Sequence, residues 1–334
     1  MFMADCSVFT VAATAALQAH TVSDVRRHGR TPGEKDGSGR VVQHFLTEVV
    51  MDAEKNGRRG FLKSLALGAA GAALITPQAA QAASGGTLQV WSCGGLAEAM
   101  CPAHEEYTRQ SGVKIVYTGA FAGALGKSLL SGSGHTEVFA GRVLALAQSL
   151  RKAGKMLAFK PLCFTSYVIA VPKGNPAGIA DLEDLTRKGV RVAMAKEASP
   201  PGGQAVMGLL KAADLTQKVL ANVPEQGTCV QRSVENVTSG KADAMIVERR
   251  ICRMPRFASN LDVVEIPEKF FPAGPLTFTV GLMADAADKD LANAYITWLT
   301  SPQGQAFFDQ AGFIPAISPK GQELIEKLGV KDVA

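Results

Sequence analysis

Three glycine-bearing turns carry the first chemical signal in the sequence: Cys93-Gly94-Gly95, Gly119-Ala120-Phe121-Ala122-Gly123 and Pro201-Gly202-Gly203. Each follows a short β-rich run and leads into a helical pattern. A helix start presents unpaired backbone N–H groups and a partial positive charge, which suits an anion. Glycine there lets backbone and ligand approach closely. Singly, each could be an ordinary strand-to-helix turn; together they point to an anion site beyond the carboxyl ends of the strands. Thiols are the second candidate group. With Cys6 set aside, Cys93, Cys101, Cys163, Cys229 and Cys252 remain. That number is odd, so at least one thiol is free or ligates something. None forms a CxxC or CxxCH unit, which leaves zinc-ribbon and c-type haem readings unsupported. Plain burial competes with any chemical role for Cys163 and Cys252.

Catalytic patterns are missing: there is no HExxH, Walker loop, GxSxG elbow or SxxK. His104 with Glu105 and Glu106 fits a solvated helix face, where Glu105 and Arg109 are spaced as an i,i+4 pair. His135 sits in a Gly/Ser turn with no evident partner. An enzyme is therefore the class the residues favour least.

The elements that would position these groups alternate along the chain. β-rich runs at 87–91, 113–118, 138–140, 167–172, 190–194 and 243–247 are separated by helical patterns at 96–111, from 123 toward Leu130, through Leu150, at 181–185 and on to Ala213. Short apolar strands between longer helices predict parallel sheets covered on both faces. Phe270 to Pro275 reads as a turn whose aromatic side chains pack into the core.

Upstream, Asn56-Gly57-Arg58-Arg59-Gly60-Phe61-Leu62-Lys63 is a twin-arginine pair ahead of an apolar run from Leu65 to Thr76, closed by Ala80-Gln81-Ala82. Charged, apolar and small regions in that order make an export signal. The run is short of the ~20 residues that span a bilayer. The expected division is 1–50 as a disordered upstream extension with translation starting at Met51, 51–82 as the twin-arginine signal peptide, and a mature chain from Ala83. Composition agrees with a folded chain: of 334 residues 47% are hydrophobic and 19% charged, which excludes a disordered, solvating polymer. The net charge of +5 is spread thinly, with no basic stripe of the kind a nucleic-acid binder gathers.

From Leu88 to about Pro315 the chain resembles the periplasmic molybdate-binding proteins of ABC importers, in the type II solute-binding family. The stretches that carry the resemblance are Gly119 to Leu125, Val171-Pro172-Lys173-Gly174-Asn175-Pro176-Ala177-Gly178, Gly240 to Val247, and Trp298 to Phe308 through Gly312-Phe313. It implies an α/β, two-lobed type II periplasmic binding protein fold with mostly parallel sheets flanked by helices. A hinge of crossover strands, near Phe164 to Val171 and Pro275 to Leu282, would join lobe 1 (83–166 and 279–334) to lobe 2 (167–278). The implied ligand set is Cys93, Gly94, Gly95, Phe121, Ala122, Gly123, Pro201, Gly202, Cys229, Val230, Glu248 and Arg249.

Within that set the chain departs from the family pattern. The first-loop serine falls at Gly95 and the second-loop serine at Ala122. The third-loop backbone donor falls at Pro201, which has no N–H, and the fourth at Val230. The tyrosine after the Ile-Val pair is replaced by Glu248. A carboxylate stands where an oxyanion would sit, and like charges at close range are costly. Two ligand classes follow. Arg142, Arg232 and Arg249 would neutralise Glu248 and hold an anion, or Cys93, Cys229 and Glu248 would hold a transition metal, with a Cys93–Cys229 disulfide as a third state of the thiols. The expected protein is exported to the periplasm, monomeric, without cofactor and without affinity for nucleic acid. It would deliver a small inorganic or organic anion, such as molybdate or tungstate, to an importer's membrane permease. The alternative is a metal-binding or sensor protein on the same fold.

Overall fold

The computed structural model describes residues 85–195, 202–224, 227 and 229–332. The extension, the export signal and Pro201 lie outside the described residues. The strands are β1 (Thr87–Cys93), β2 (Lys114–Ala120), β3 (Val138–Arg142), β4 (Met156–Phe164), β5 (Tyr167–Pro172), β6 (Met245–Glu248), β7 (Leu261–Glu265), β8 (Thr277–Met283) and β9 (Ile314–Pro315). Six form one sheet in the order β2-β1-β3-β8-β4-β9, and the others a second in the order β6-β5-β7. The helices include α1 (Ala97–Ser111), α2 (Ala122–Ser131), α3 (Leu144–Lys152), α4 (Gly202–Ala212), α5 (Thr216–Leu220), α6 (Val230–Thr238), α7 (Arg249–Cys252), α8 (Pro255–Ala258), α9 (Lys289–Leu299), α10 (Pro302–Gln310) and α11 (Pro319–Leu328). The described helices include none long and apolar enough to cross a membrane.

The first sheet is mixed and the second antiparallel, a correction to the mostly parallel arrangement expected. β1 pairs parallel with β2 and with β3. β3–β8, β4–β8, β4–β9, β5–β6 and β5–β7 are antiparallel. In the first sheet β8 returns from the second sheet and inserts between β3 and β4, antiparallel to both. Every residue of β8 is buried, and a strand covered on both faces reads as the same apolar run in either direction. The run at 190–194 makes only an isolated parallel bridge, Val192 to Ala244. β4 and β7 had no sequence signal. Pro161 interrupts the alternation of β4, whose register shifts between Pro161 and Cys163.

Period-two alternation splits each sheet's side chains between two cores. In β3, Val138 and Ala140 join Met100, Tyr295 and Phe308 beneath α1, α9 and α10. Phe139 turns to the opposite face with Leu125, Leu129 and Leu150 of α2 and α3. In β5, Ile169 and Val171 pack with Leu209 and Leu210 of α4, while Val168 and Ala170 meet Val234 and Val237 of α6. Phe270 and Phe271 are partly buried against the α4 side, as expected. The stretch from Trp298 to Phe308 spans two helices. Pro302 cannot continue α9, and the Ser301 hydroxyl accepts from the Gly304 N–H to start α10. The chain passes from the first sheet to the second through Thr165 and Ser166 and returns through the segment ending at Leu276.

Candidate functional site

The site forms where strands of both sheets end. β3 ends on Arg142, β6 on Glu248 and β1 on Cys93, while β5 begins at Tyr167. Arg142 Nη2 lies 2.6 Å from Glu248 Oε1, and Arg250 Nε donates to Glu248 Oε2 at 2.6 Å. Arg142 also donates to the Tyr167 hydroxyl at 3.2 Å and lies over the Phe278 ring, 5.2 Å from its centroid. Arg250 Nη1 reaches Glu98 at 3.3 Å. Arg142 and Glu98 belong to elements of the first sheet's half; Glu248, Tyr167 and Arg250 belong to the second. Two ion pairs, Arg142–Glu248 and Arg250–Glu98, therefore join the halves.

Arg142 and Glu248 are each 5% exposed, so their charges persist only because they are paired. Burial alone would raise the Glu248 pKa, but Arg142 and then Arg250 outweigh it and hold the carboxyl at about 2. Burial likewise opposes the Arg142 charge, and Glu248 overcomes it, leaving the guanidinium above its ordinary value. The Cys93 thiol is pushed up by burial, against the opposing influence of the Gly95 N–H and Arg142. Burial raises Cys163 still further. Burial therefore leaves both thiols neutral at physiological pH.

Local backbone aims these groups. Val143, directly after Arg142, has φ 72°, a conformation that costs a β-branched residue about 1–3 kcal/mol. It is held on both sides: its N–H donates to Thr277 O at 2.9 Å, Arg142 pairs with Phe278 in the sheet, and α3 starts at the next residue. At Gly95 a Cβ would stand 3.2 Å from Arg250 Nη2, so the first glycine turn makes room for the guanidinium arriving from the other half. A Cβ on Gly202, the first residue of α4, would lie 3.8 Å from Glu248 Oε1. The start of that helix therefore faces the carboxylate.

Of the residues expected at the site, Cys93, Gly95, Gly202 and Glu248 come together, and Gly94 opens the turn after Cys93. Others do not join them. Phe121 is 59% exposed and a Cβ at Gly123 would meet nothing within 4 Å, while Ala122 packs in the same first core as Cys93. Val230 packs beside the α6 core, and Cys229 is exposed. Arg249 is a correction: it bonds Ser166 Oγ at 3.2 Å and pairs with Glu265, and its neighbour Arg250 takes the place beside Glu248. Two adjacent arginines open α7, and their side chains leave the helix about 100° apart. Sequence alone does not say which faces the site. Tyr167 and Glu98 were also missed; Tyr167 reads simply as the start of an apolar strand.

Burial, the reading that competed for Cys163 and Cys252, holds for both. Among the described residues Cys93, Cys101, Cys163, Cys229 and Cys252 form no disulfide, so no Cys93–Cys229 bridge pins the halves. Among the described residues no group of three or more His, Cys, Asp or Glu side chains could hold a metal. His104 is buried rather than solvated, its Nε2 2.7 Å from the Tyr295 hydroxyl. Arg109 pairs with Glu106, one turn back at i,i+3, instead of Glu105. His135 does have a partner, Asp285, at 2.9 Å.

Comparison with known proteins places this geometry in context. Residues 88–314 match the family described as bacterial extracellular solute-binding protein. The chain is 27% identical over 231 residues to the molybdate-binding protein ModA of Mycobacterium tuberculosis, covering 68% of this chain and 84% of that one. It is 26% identical over 172 residues to the sulfate-binding protein of Synechococcus elongatus, covering 47% of this chain. It spans about half of that relative's length (49%). Among solved structures, a substrate-binding domain from Clostridium difficile superposes with a TM-score of 0.60 at 22% identity, covering 69% of this chain and 99% of that one.

Proposed function

The chain belongs to the bacterial extracellular solute-binding proteins, and from that premise we propose that it captures a small oxyanion of the molybdate or sulfate kind for an ABC importer. The family binds solutes and is not an enzyme family. The observation that carries the ligand class is the pair of guanidiniums, buried Arg142 and partly buried Arg250, brought from the two halves to one point at the strand ends. Guanidinium is a planar donor matched to two oxygens of one centre, and it cannot lose its charge at any physiological pH. The relatives named for molybdate and sulfate at 27% and 26% identity point the same way. The metal reading has less to stand on, because among the described residues no group of three or more His, Cys, Asp or Glu side chains could hold a metal, and Cys229 is exposed.

Delivery to a membrane permease, action as a monomer and export through the twin-arginine signal at 51–82 complete the proposal. Sequencing the exported protein from its N-terminus should start at or near Ala83; a start before Arg58 refutes the export reading. The ligand reading is tested by calorimetry on the full chain with sodium molybdate and sodium sulfate. At least one should bind, and binding should be lost in Arg142→Ala and Arg250→Ala proteins that keep the native circular dichroism. Undiminished binding in both variants refutes it.

A further inference from the structure

We propose that Glu248 is a built-in competitor: its carboxylate holds the seat between Arg142 and Arg250 that the ligand's oxyanion takes, and a ligand binds by displacing it. The inference rests on the oxyanion reading above and adds what that reading lacks, a reason for a carboxylate in an anion site.

The geometry of Glu248 is that of a bound ligand. Its two oxygens are divided between two guanidiniums, Oε1 with Arg142 and Oε2 with Arg250, each at 2.6 Å. Oε2 accepts an aligned hydrogen bond from Arg250. Oε1 is a close ion pair with Arg142 but accepts no aligned hydrogen bond. It also faces the first residue of α4, a helix start that favours negative charge. A single-centre oxyanion would use the same donors.

Charge leaves no room for both anions. Among the described residues Arg142 and Arg250 balance Glu248 and Glu98, and Arg142 and Glu248 are nearly removed from water. A second anion placed beside an ionised Glu248 would meet uncompensated repulsion in a poorly hydrated site. Displacement removes that conflict, because the incoming oxygens inherit the two guanidiniums and the freed carboxylate regains solvent. The seat also spans the halves, since Arg142 lies on the first sheet and Glu248 on the second. The side chain thus does in the free protein what a ligand does in a two-lobed binder: it draws the halves together. Only a ligand with two oxygens on one centre can replace both contacts, so chloride should not compete.

The test combines calorimetry and small-angle scattering on the full chain, wild type against Glu248→Gln and Glu248→Asp, titrated with sodium molybdate and sodium sulfate. The Asp variant keeps the charge and shortens the reach, which guards against a Gln variant that fails to fold with two cations unpaired. Both variants should bind the oxyanion about tenfold tighter or more than wild type, the equivalent of roughly 1.4 kcal/mol. Ligand-free Glu248→Gln should have a larger radius of gyration than wild type and contract when the oxyanion is added. Binding by the variants where wild type binds nothing also supports the proposal. Equal or weaker affinity in both variants overturns it, as does an absence of binding in all three proteins. Arg142→Ala separates the two levels of argument. If it abolishes wild-type binding while the Glu248 variants gain nothing, the competitor falls and the oxyanion reading stands. If neither it nor Arg250→Ala weakens binding, both fall.

Discussion

His104 makes the stability of the first-sheet half depend on acid in a way that can be calculated. The imidazole is 6% exposed, its Nε2 is 2.7 Å from the Tyr295 hydroxyl, and its ring meets Tyr117 edge-on at 4.8 Å. Burial lowers its pKa from 6.5 to about 3. A lowered folded-state value means that between those limits the unfolded chain binds a proton the native chain does not. The associated stability is complete above pH 6.5 and is lost as pH falls toward 3. At about 1.4 kcal/mol per pH unit for one proton, going from pH 7 to 4.5 removes roughly 2–3 kcal/mol. His104→Gln keeps a donor and an acceptor for Tyr295 and cannot titrate. Urea unfolding of both proteins at the two pH values isolates the effect, because all other titratable groups are the same in each. Trp91 in β1 and Trp298 in α9 both lie in the half that contains His104, so tryptophan fluorescence reports the relevant transition. Wild type should lose roughly 2–3 kcal/mol more than His104→Gln on acidification. The same pH dependence in both proteins would refute the argument.

Two further outcomes follow from burial. Iodoacetamide labelling mapped by mass spectrometry should modify exposed Cys229 well before Cys93, Cys163 and Cys252, the last of which burial pushes up to about 11; comparable early labelling of all four would contradict the packing. Thr165 Oγ1 is buried without a hydrogen-bond partner among the described residues, in a cavity of about 50 Å³ lined by Phe271, Leu276, Ile314 and Leu324. Thr165→Val should leave thermal stability unchanged or raise it by up to about 1 kcal/mol, and a loss larger than that would show that the hydroxyl is held by a partner.

What the sequence made legible followed its periodicities. The apolar runs that became β1, β2, β3, β5 and β6 were visible because alternation and turn residues frame them. The glycine turn at 93–95 was found from glycine beside a strand end. Direction was not legible, since β8 is apolar on both faces and nothing in such a run records whether its neighbour is parallel. The solvated reading of His104 failed for a related reason. Helical spacing places a residue on a face but does not reveal that Tyr295, 191 positions away, will lie against it. Arg250 was missed because a helix of four residues, Arg249 to Cys252, is too short to show a face at all.

The two costs that meet at Arg142 argue that the cluster exists for a site and not for the core. A buried ion pair is weak support for stability, since apolar residues of equal volume often serve as well or better. Nor does stability account for Val143 in a left-handed backbone conformation, where glycine would carry no steric penalty. Both features stand at the end of one strand, and together they aim a guanidinium across the junction between the sheets. Gly95 and Gly202 supply the complementary space, one against Arg250 and the other against Glu248. Strain, paired buried charge and clearance at glycine converge on one carboxylate from four separate segments of chain. A carboxylate enclosed that way is in the position of a ligand, which is why its replacement is the most direct measurement of what this protein is built to hold.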